Sequence, residues 1–232
     1  MPDVVMVAAP HPDDEVLGCG GSIACHADAG RQVFVLYLSS GERGCPDLLP
    51  ANARARREQE AEQAMETLGI PAANLRFLGF PDGGINPALL DQVGVVTSAL
   101  RELRPQLLYL PHPDDASFDH RAAFTLCWRA AGMAGSRNFP EWGTSPHWVP
   151  AVLGYEVWSP ICEPAYFEDI DGVMDRKLAA LTCYQSQTPA AKGTGQASHV
   201  GAPAAFLPGF RGAVTTGGHR EAFTVLRAGR VI

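Results

Sequence analysis

The chain has 232 residues, of which 46% are hydrophobic and 19% charged, enough to bury one substantial core. Its 18 basic side chains face 25 acidic ones, a net charge of −7 that excludes a polyanionic partner such as nucleic acid, which draws on clustered Lys and Arg. Six cysteines (Cys19, Cys25, Cys45, Cys127, Cys162 and Cys183) form no C-x-x-C pair, which excludes a cysteine-rich zinc site, and the Met-Pro-Asp start has neither a basic leader nor a long apolar stretch. No signal peptide or membrane span is expected, and a reducing cytoplasm is the default compartment.

The first predicted strand, Val4–Ala9, runs into Pro10-His11-Pro12-Asp13-Asp14-Glu15. Two prolines hold His11 extended and out of any helix. An imidazole and three carboxylates at the exit of a buried strand are costly unless something positive sits among them, and a divalent metal is the natural occupant. His11 and Asp14 offer one nitrogen and one oxygen ligand, which suits Zn2+ with Fe2+ as the alternative. Asp13 is left free to accept a proton, and Glu15 is a weaker second base. Gly18-Cys19-Gly20-Gly21 fails as a dinucleotide fingerprint, because the third glycine of G-x-G-x-x-G would fall at Ile23. These glycines instead let a helix over Leu17–Asp28 lie close to the sheet.

A second strand is predicted at Val33–Ser39 and a helix at Asn52–Leu68. Its basic run Arg54-Ala55-Arg56-Arg57 precedes Glu58, Glu60, Glu62 and Glu66, which reads as a solvated face with Arg54–Glu58 and Arg56–Glu60 pairs. The apolar stripe Ala61, Ala64, Leu68 puts Arg57 on the sheet-facing side near the helix N-terminus, where it either holds a hydroxyl or anionic group of a ligand or pairs with Glu60. Next come a strand at Leu75–Leu78, the turn Phe80-Pro81-Asp82-Gly83-Gly84, and a helix within Pro87–Leu103. The fourth strand, Leu107–Leu110, opens into Pro111-His112-Pro113-Asp114-Asp115 and, after Ala116-Ser117-Phe118, Asp119-His120-Arg121. The tetrapeptide His-Pro-Asp-Asp thus occurs twice, each time at a strand exit. His120, at the start of a predicted helix, and His112 are the two candidates for a third ligand, and Asp119 suits a helix start. A last strand is predicted at Val152–Trp158. The stretch Gln187–Gly218, rich in small residues and without a clear period, reads as an irregular segment covering a crevice.

Alternating strands and helices predict an α/β fold: a doubly wound, Rossmann-like, mostly parallel sheet with helices on both faces, in one domain over 1–232. If the strand order is 3-2-1-4-5, the first and fourth strands flank the switch point and both His-Pro-Asp-Asp segments open onto one crevice. No G-x-S-x-G elbow is present, so a serine hydrolase has no support. No feature specifies an oligomeric state.

At these residues the chain resembles the PIG-L/LmbE-like family of zinc-dependent deacetylases. The resemblance rests on Ala9 to Glu15, Leu38-Ser39-Ser40-Gly41-Glu42, Arg57 with Glu60, and Leu78-Gly79-Phe80-Pro81-Asp82-Gly83. It continues through Asp115, Asp119-His120-Arg121, Lys177, Ser186-Gln187 and Glu221-Ala222-Phe223. It implies removal of an acetyl group from an N-acetylglucosamine-type sugar or glycoconjugate. His11, Asp14 and His120 would hold Zn2+, Asp13 would act as general base on a zinc-bound water, and Arg57 and Asp82 would orient the sugar. Asp115 would orient a ligand histidine. Where the family usually reads His-Pro-Asp-His, this chain has Ser117 and Phe118 before Asp119-His120, so the oxyanion falls to the Ser117 hydroxyl or to His112, His147, His199 or His219. Tyr184 also stands where family members often carry histidine. Two alternatives remain: a zinc amidase acting on a thiol-glycoside conjugate, and a carbohydrate-binding relative without turnover.

Overall fold

The computed structural model describes residues 4–143, 145–187 and 201–229, with side chains from 206 onward in the last of these. Among the described residues seven strands form one sheet in the order β3-β2-β1-β4-β5-β7-β6. They are β1 (Val4–Ala9), β2 (Gln32–Ser39), β3 (Leu75–Phe80), β4 (Leu107–Pro111), β5 (Ala151–Tyr155), β6 (Tyr166–Asp169) and β7 (Arg220–Arg227). The first five are parallel, with β1 paired to β2 from Val4↔Gln32 and to β4 from Val5↔Leu107. β7 runs antiparallel to both β5 and β6. The expected 3-2-1-4-5 order is therefore the observed one, and the switch point lies between β1 and β4.

Side-chain alternation along each strand feeds two cores. Val5, Val7, Val33, Val35 and Leu107 face α1 (Asp14–Asp28), α2 (Pro50–Thr67) and α5 (Met174–Leu181). Met6, Ala8, Leu36, Leu108 and Leu110 face α3 (Leu90–Leu103) and α4 (Phe118–Ala134). A sheet covered on both faces must carry apolar residues at every position, which is why these strands read as continuous runs. Among the described residues a further helix, α6, occupies Gly201–Ala213, within the stretch read as irregular, and residues 188–200 of that stretch lie outside the described residues. β6 and β7 were not expected. β6 has four residues, all at least partly exposed, too few to show a period, and β7 follows a glycine-containing turn that masks its start.

The glycines of α1 do allow close approach: a Cβ on Gly18 would sit 2.2 Å from the Tyr155 ring. The helix is broken at Cys19, whose φ of −144° and ψ of 25° are non-helical. The break frees the Leu17 carbonyl, which accepts from Lys177 Nζ at 2.9 Å, and exposes new backbone N–H groups at Gly21 and Ser22, which donate to Glu221 at 2.8 and 2.7 Å. Lys177 and Glu221 close the network with a buried ion pair of 2.6 Å.

At the other end of α1, His26 is buried. Arg31 Nη1 approaches its Nδ1 at 3.1 Å, and a guanidinium can only donate, so the ring proton lies on Nε2 and is given to Tyr109 Oη at 2.9 Å. Burial first, and then the Arg31 charge, lowers the His26 pKa from 6.5 to about 4. Between those values the unfolded chain binds the proton and the folded chain does not, so stability falls as pH drops through this window, by up to about 3 kcal/mol. Urea unfolding at several pH values should give His26→Gln a shallower loss than the parent chain between pH ~6.5 and ~4; parallel curves would remove His26 as the cause.

Candidate metal centre

His11 leaves β1 between its prolines and Asp14 opens α1, so the turn folds one back on the other. The His11 backbone N–H donates to Asp14 Oδ2 at 2.9 Å, and His11 Nδ1 lies 3.2 Å from the same oxygen. From the first turn of α4, His120 brings Nε2 to 3.2 Å from that oxygen too. One carboxylate oxygen thus sits between two imidazoles carried by the loops after β1 and β4. On its other side, His11 Nε2 is 3.1 Å from Asp119 Oδ2 and 3.3 Å from Asp82 Oδ1. Ligand atoms of His11, Asp14 and His120 all lie within 4.8 Å of one another, as do those of His11, Asp82 and Asp119.

The donor set fits a divalent cation. Burial disfavours charge on His120, but Asp14 and Asp115 outweigh it and carry its pKa up to about 9. Burial would likewise lower His11, and Asp119, Asp14 and Asp82 together raise it. Burial would raise Asp14, yet His120 and His11 hold it well below the usual carboxylate range. Carboxylates that hold two imidazoles as cations around one ionised oxygen call for positive charge, which one metal ion would supply more compactly than two protons.

Asp13 sits beside this group and coordinates none of it. Its φ of 122° and ψ of −30° are rare for a residue with a side chain, and such strain persists only where neighbours over-determine it. Three contacts do so here. Its backbone N–H donates to Glu15 Oε2 at 3.0 Å, its carboxylate lies 3.3 Å from Arg57 Nη2, and that same nitrogen donates to Pro12 O at 2.5 Å. Arg57 Nη1 is bound by Gly41 O at 2.7 Å, and Gly41, at φ 62°, lies so close that a Cβ would come within 2.1 Å of Nη1. Burial raises the Asp13 pKa to about 6 against the pull of Arg57. Glu15, the weaker candidate base, is wholly buried: burial pushes its pKa to about 8, and Tyr184 Oη donates to its Oε1. Tyr184 thereby anchors Glu15, which anchors Asp13.

Several expected placements differ from the structure. Arg57 lies at the crevice as the helical stripe predicts, but its Nη atoms are committed to the loops carrying Asp13 and Gly41, and Glu60 pairs with Arg56 at 2.7 Å and with Ser186 instead. Asp82 contacts His11 and accepts from the Arg43 N–H at 2.8 Å. Asp119, read as a helix-start carboxylate, is a direct partner of His11; its position beside His120 on a helix first turn was the available signal. Asp115 Oδ1 lies 3.2 Å from His120 Nδ1, while its Oδ2 accepts from the Trp158 N–H. His112 is buried with Nε2 on Ser159 O at 2.8 Å and 3.9 Å from Asp115 Oδ2, so it borders the carboxylate behind His120 and is not one of the grouped ligands. His147 contacts Pro105 O and His219 contacts Asp171, so neither reaches the crevice, and His199 lies outside the described residues. The Ser117 N–H donates to Asp115, and its hydroxyl makes no capping bond to α4.

Comparison with known proteins shows the family. The family model for GlcNAc-PI de-N-acetylases (PIG-L) matches residues 6–131. A diacetylchitobiose deacetylase of Thermococcus kodakarensis is 32% identical over 194 residues, covering 80% of this chain and 70% of its own. A 4-oxalmesaconate hydratase of Pseudomonas putida is 31% identical over 194 residues, 78% of this chain and 73% of its own. The conserved protein TT1542 of Thermus thermophilus superposes with a TM-score of 0.83 at 32% identity, covering 100% of this chain and 98% of that one.

Proposed function

Because the chain belongs to the PIG-L family of de-N-acetylases, we propose that it is a zinc-dependent hydrolase that removes the acetyl group from an N-acetylglucosamine-type sugar or glycoconjugate. The observation that carries this reading is an uncoordinated, buried carboxylate, Asp13, fixed beside a His-Asp-His group at the switch point of the sheet. His11, Asp14 and His120 would hold the divalent ion, which when bound would supply Lewis acidity toward the acetyl carbonyl and the attacking water.

The chain's own residues do the rest. Asp13 takes a proton from the attacking water and returns it to the sugar nitrogen as the C–N bond breaks, leaving acetate and a free amine. A carboxyl group with a pKa of about 6 suits both steps, being ionised at neutral pH yet able to hold the proton between them. Arg57 and Glu15 keep Asp13 in its strained position. Asp82, at the rim beside His11, orients sugar hydroxyls, and the Ser117 hydroxyl at the start of α4 supports the carbonyl oxygen. Asp115 and Asp119 set the His120 and His11 rings.

The similarity to the Pseudomonas hydratase raises hydration of an unsaturated tricarboxylate as a second reading. Asp13, Asp14, Asp82, Asp115 and Asp119 surround the crevice, and Arg57 already serves the loops, so carboxylates outnumber positive charges even with a divalent ion bound. A neutral amide fits this field better than a tricarboxylate anion. Metal-loaded protein should release acetate from members of a panel of N-acetylglucosamine derivatives; a thiol-glycoside amidase would release a larger acid, and release of no acid from any sugar would end the proposal. Asp115→Ala should weaken metal binding by about 10- to 100-fold, read by competition with a chelating dye. Unaltered affinity would make Asp115 an anchor for the Trp158 loop alone.

A further inference from the structure

The chain leaving β5, Glu156-Val157-Trp158-Ser159-Pro160-Ile161, belongs to no helix or strand, yet it supports the metal centre from behind. The Trp158 and Ser159 N–H groups both donate to Asp115 Oδ2, at 2.9 and 3.2 Å, and Ser159 O accepts from His112 Nε2. The other oxygen of the same carboxylate, Asp115 Oδ1, accepts from the Ser117 N–H and lies 3.2 Å from His120 Nδ1. His120 in turn directs Nε2 at Asp14. Asp115 therefore has the loop on one oxygen and a candidate ligand on the other, so a shift of the loop rotates the carboxylate against the imidazole. Such outer partners set ring orientation and ligand basicity.

Two consecutive amides converge on one oxygen only in a particular backbone conformation, and regular structure does not impose it here. A buried clamp does. Glu156 Oε2 accepts the Ile161 N–H at 2.8 Å, which ties the two ends of the loop together. From α6, Arg211 donates to both Glu156 oxygens, at 3.0 and 2.7 Å, and to Ile161 O at 2.7 Å. All three residues are buried. A guanidinium paired with a carboxylate through two bonds is strong and directional, whereas apolar residues of like volume often stabilise a fold as well as a buried ion pair. What the pair adds beyond stability is direction, because one planar group sets both ends of the loop at once.

We propose that Arg211 and Glu156 are positioning residues for the metal centre: their ion pair docks α6 against the loop after β5, holds the Trp158 and Ser159 amides on Asp115, and through Asp115 sets the His120 ring. Both act at a distance, since their hydrogen bonds go to each other and to Ile161. The inference rests on the metal-centre reading and is tested without turnover, by Zn2+ affinity of the full chain in competition with a chelating dye. Arg211→Met and Glu156→Gln should each weaken Zn2+ binding by about three- to tenfold, and by less than about twofold when added to Asp115→Ala. Urea midpoints on the same samples establish that each chain is folded where its affinity is read. The double variant Arg211→Met with Glu156→Gln leaves no unpaired charge in the clamp, and it decides in place of a single variant that does not fold. A purely structural clamp would lower the midpoints and leave the affinity of folded chains at the parent's value, which would overturn the proposal. So would a loss that persists in full in the Asp115→Ala background, because the effect would then travel by another route, or an Asp115→Ala chain with the parent's affinity. A parent chain that binds no Zn2+ ends the metal-centre reading and this inference together. If the parent binds Zn2+ but releases no acetate, the reaction is misassigned and the same affinities still judge the clamp.

Discussion

Asp13→Asn is expected to lower kcat for acetate release by about 100- to 10,000-fold while bound metal stays at the parent's stoichiometry. The two side chains have the same shape, and Asp13 touches neither His11, Asp14 nor His120 among the contacts of the site, so the ligand group should survive the change. Arg57 loses one charged neighbour but keeps Gly41 O and Pro12 O, which hold the loop. What disappears is the capacity to accept a proton. The same residue sets the acid limb of the pH profile. Burial raises its pKa to about 6 without the metal and a bound divalent cation would draw it down, and only the ionised form can act as base, so kcat/KM of the metal-loaded parent should decline on an acid limb at or below about pH 6. Steady-state rates across that range, with metal content measured on the same samples, separate loss of the base from loss of the metal. A variant that keeps the parent's rate would assign the proton transfer elsewhere.

The residues nearest each other in sequence were the most legible. Pro10-His11-Pro12 and Asp13-Asp14 announce a strand exit bearing ligands and a spare carboxylate, and the alternation of strand and helix brings His120 to them through the strand order. What escaped depends on where loops meet. Asp82 and Asp119 come to His11 only because the turn after β3 and the start of α4 converge, and neither spacing nor periodicity encodes that approach. Arg57 was placed correctly by its helical stripe, but its target was not, because the carbonyls of Pro12 and Gly41 meet it where the backbone passes through positive φ at Asp13 and at Gly41. His112 repeats the first tetrapeptide and has a different fate. The loop after β5 offers Ser159 O to its ring, and Gly154 beside it lies so close that a Cβ there would be 3.2 Å from the His112 Cα. Identical local sequence thus gives a candidate ligand at one strand exit and a packing residue at the other, because neighbouring strands differ.

Lys177→Met should destabilise the fold by about 3–5 kcal/mol, the range expected when one member of a buried ion pair is removed and its partner stays charged. Lys177 is fully buried and Glu221 nearly so, and their 2.6 Å contact joins α5 to β7. The residual carboxylate would keep the Gly21 and Ser22 N–H groups and the Ser22 hydroxyl, and those bonds favour an anion at the start of the second half of α1. They set the lower end of the range, because Glu221 would retain three donors after losing the cation. The Leu17 carbonyl, freed by the break at Cys19, would be left without its lysine, adding a buried unsatisfied acceptor to the loss. Adding Glu221→Gln to Lys177→Met should recover part of the deficit, since the double variant buries no unpaired charge. Urea denaturation midpoints of the four chains give the coupling energy directly. A loss below about 1 kcal/mol for Lys177→Met would mean that the helix N–H groups alone neutralise Glu221. The network would then serve chiefly to fix the break in α1, the helix whose first residues are Asp14 and Glu15, and weakened metal binding in Lys177→Met at preserved stability would reveal that role.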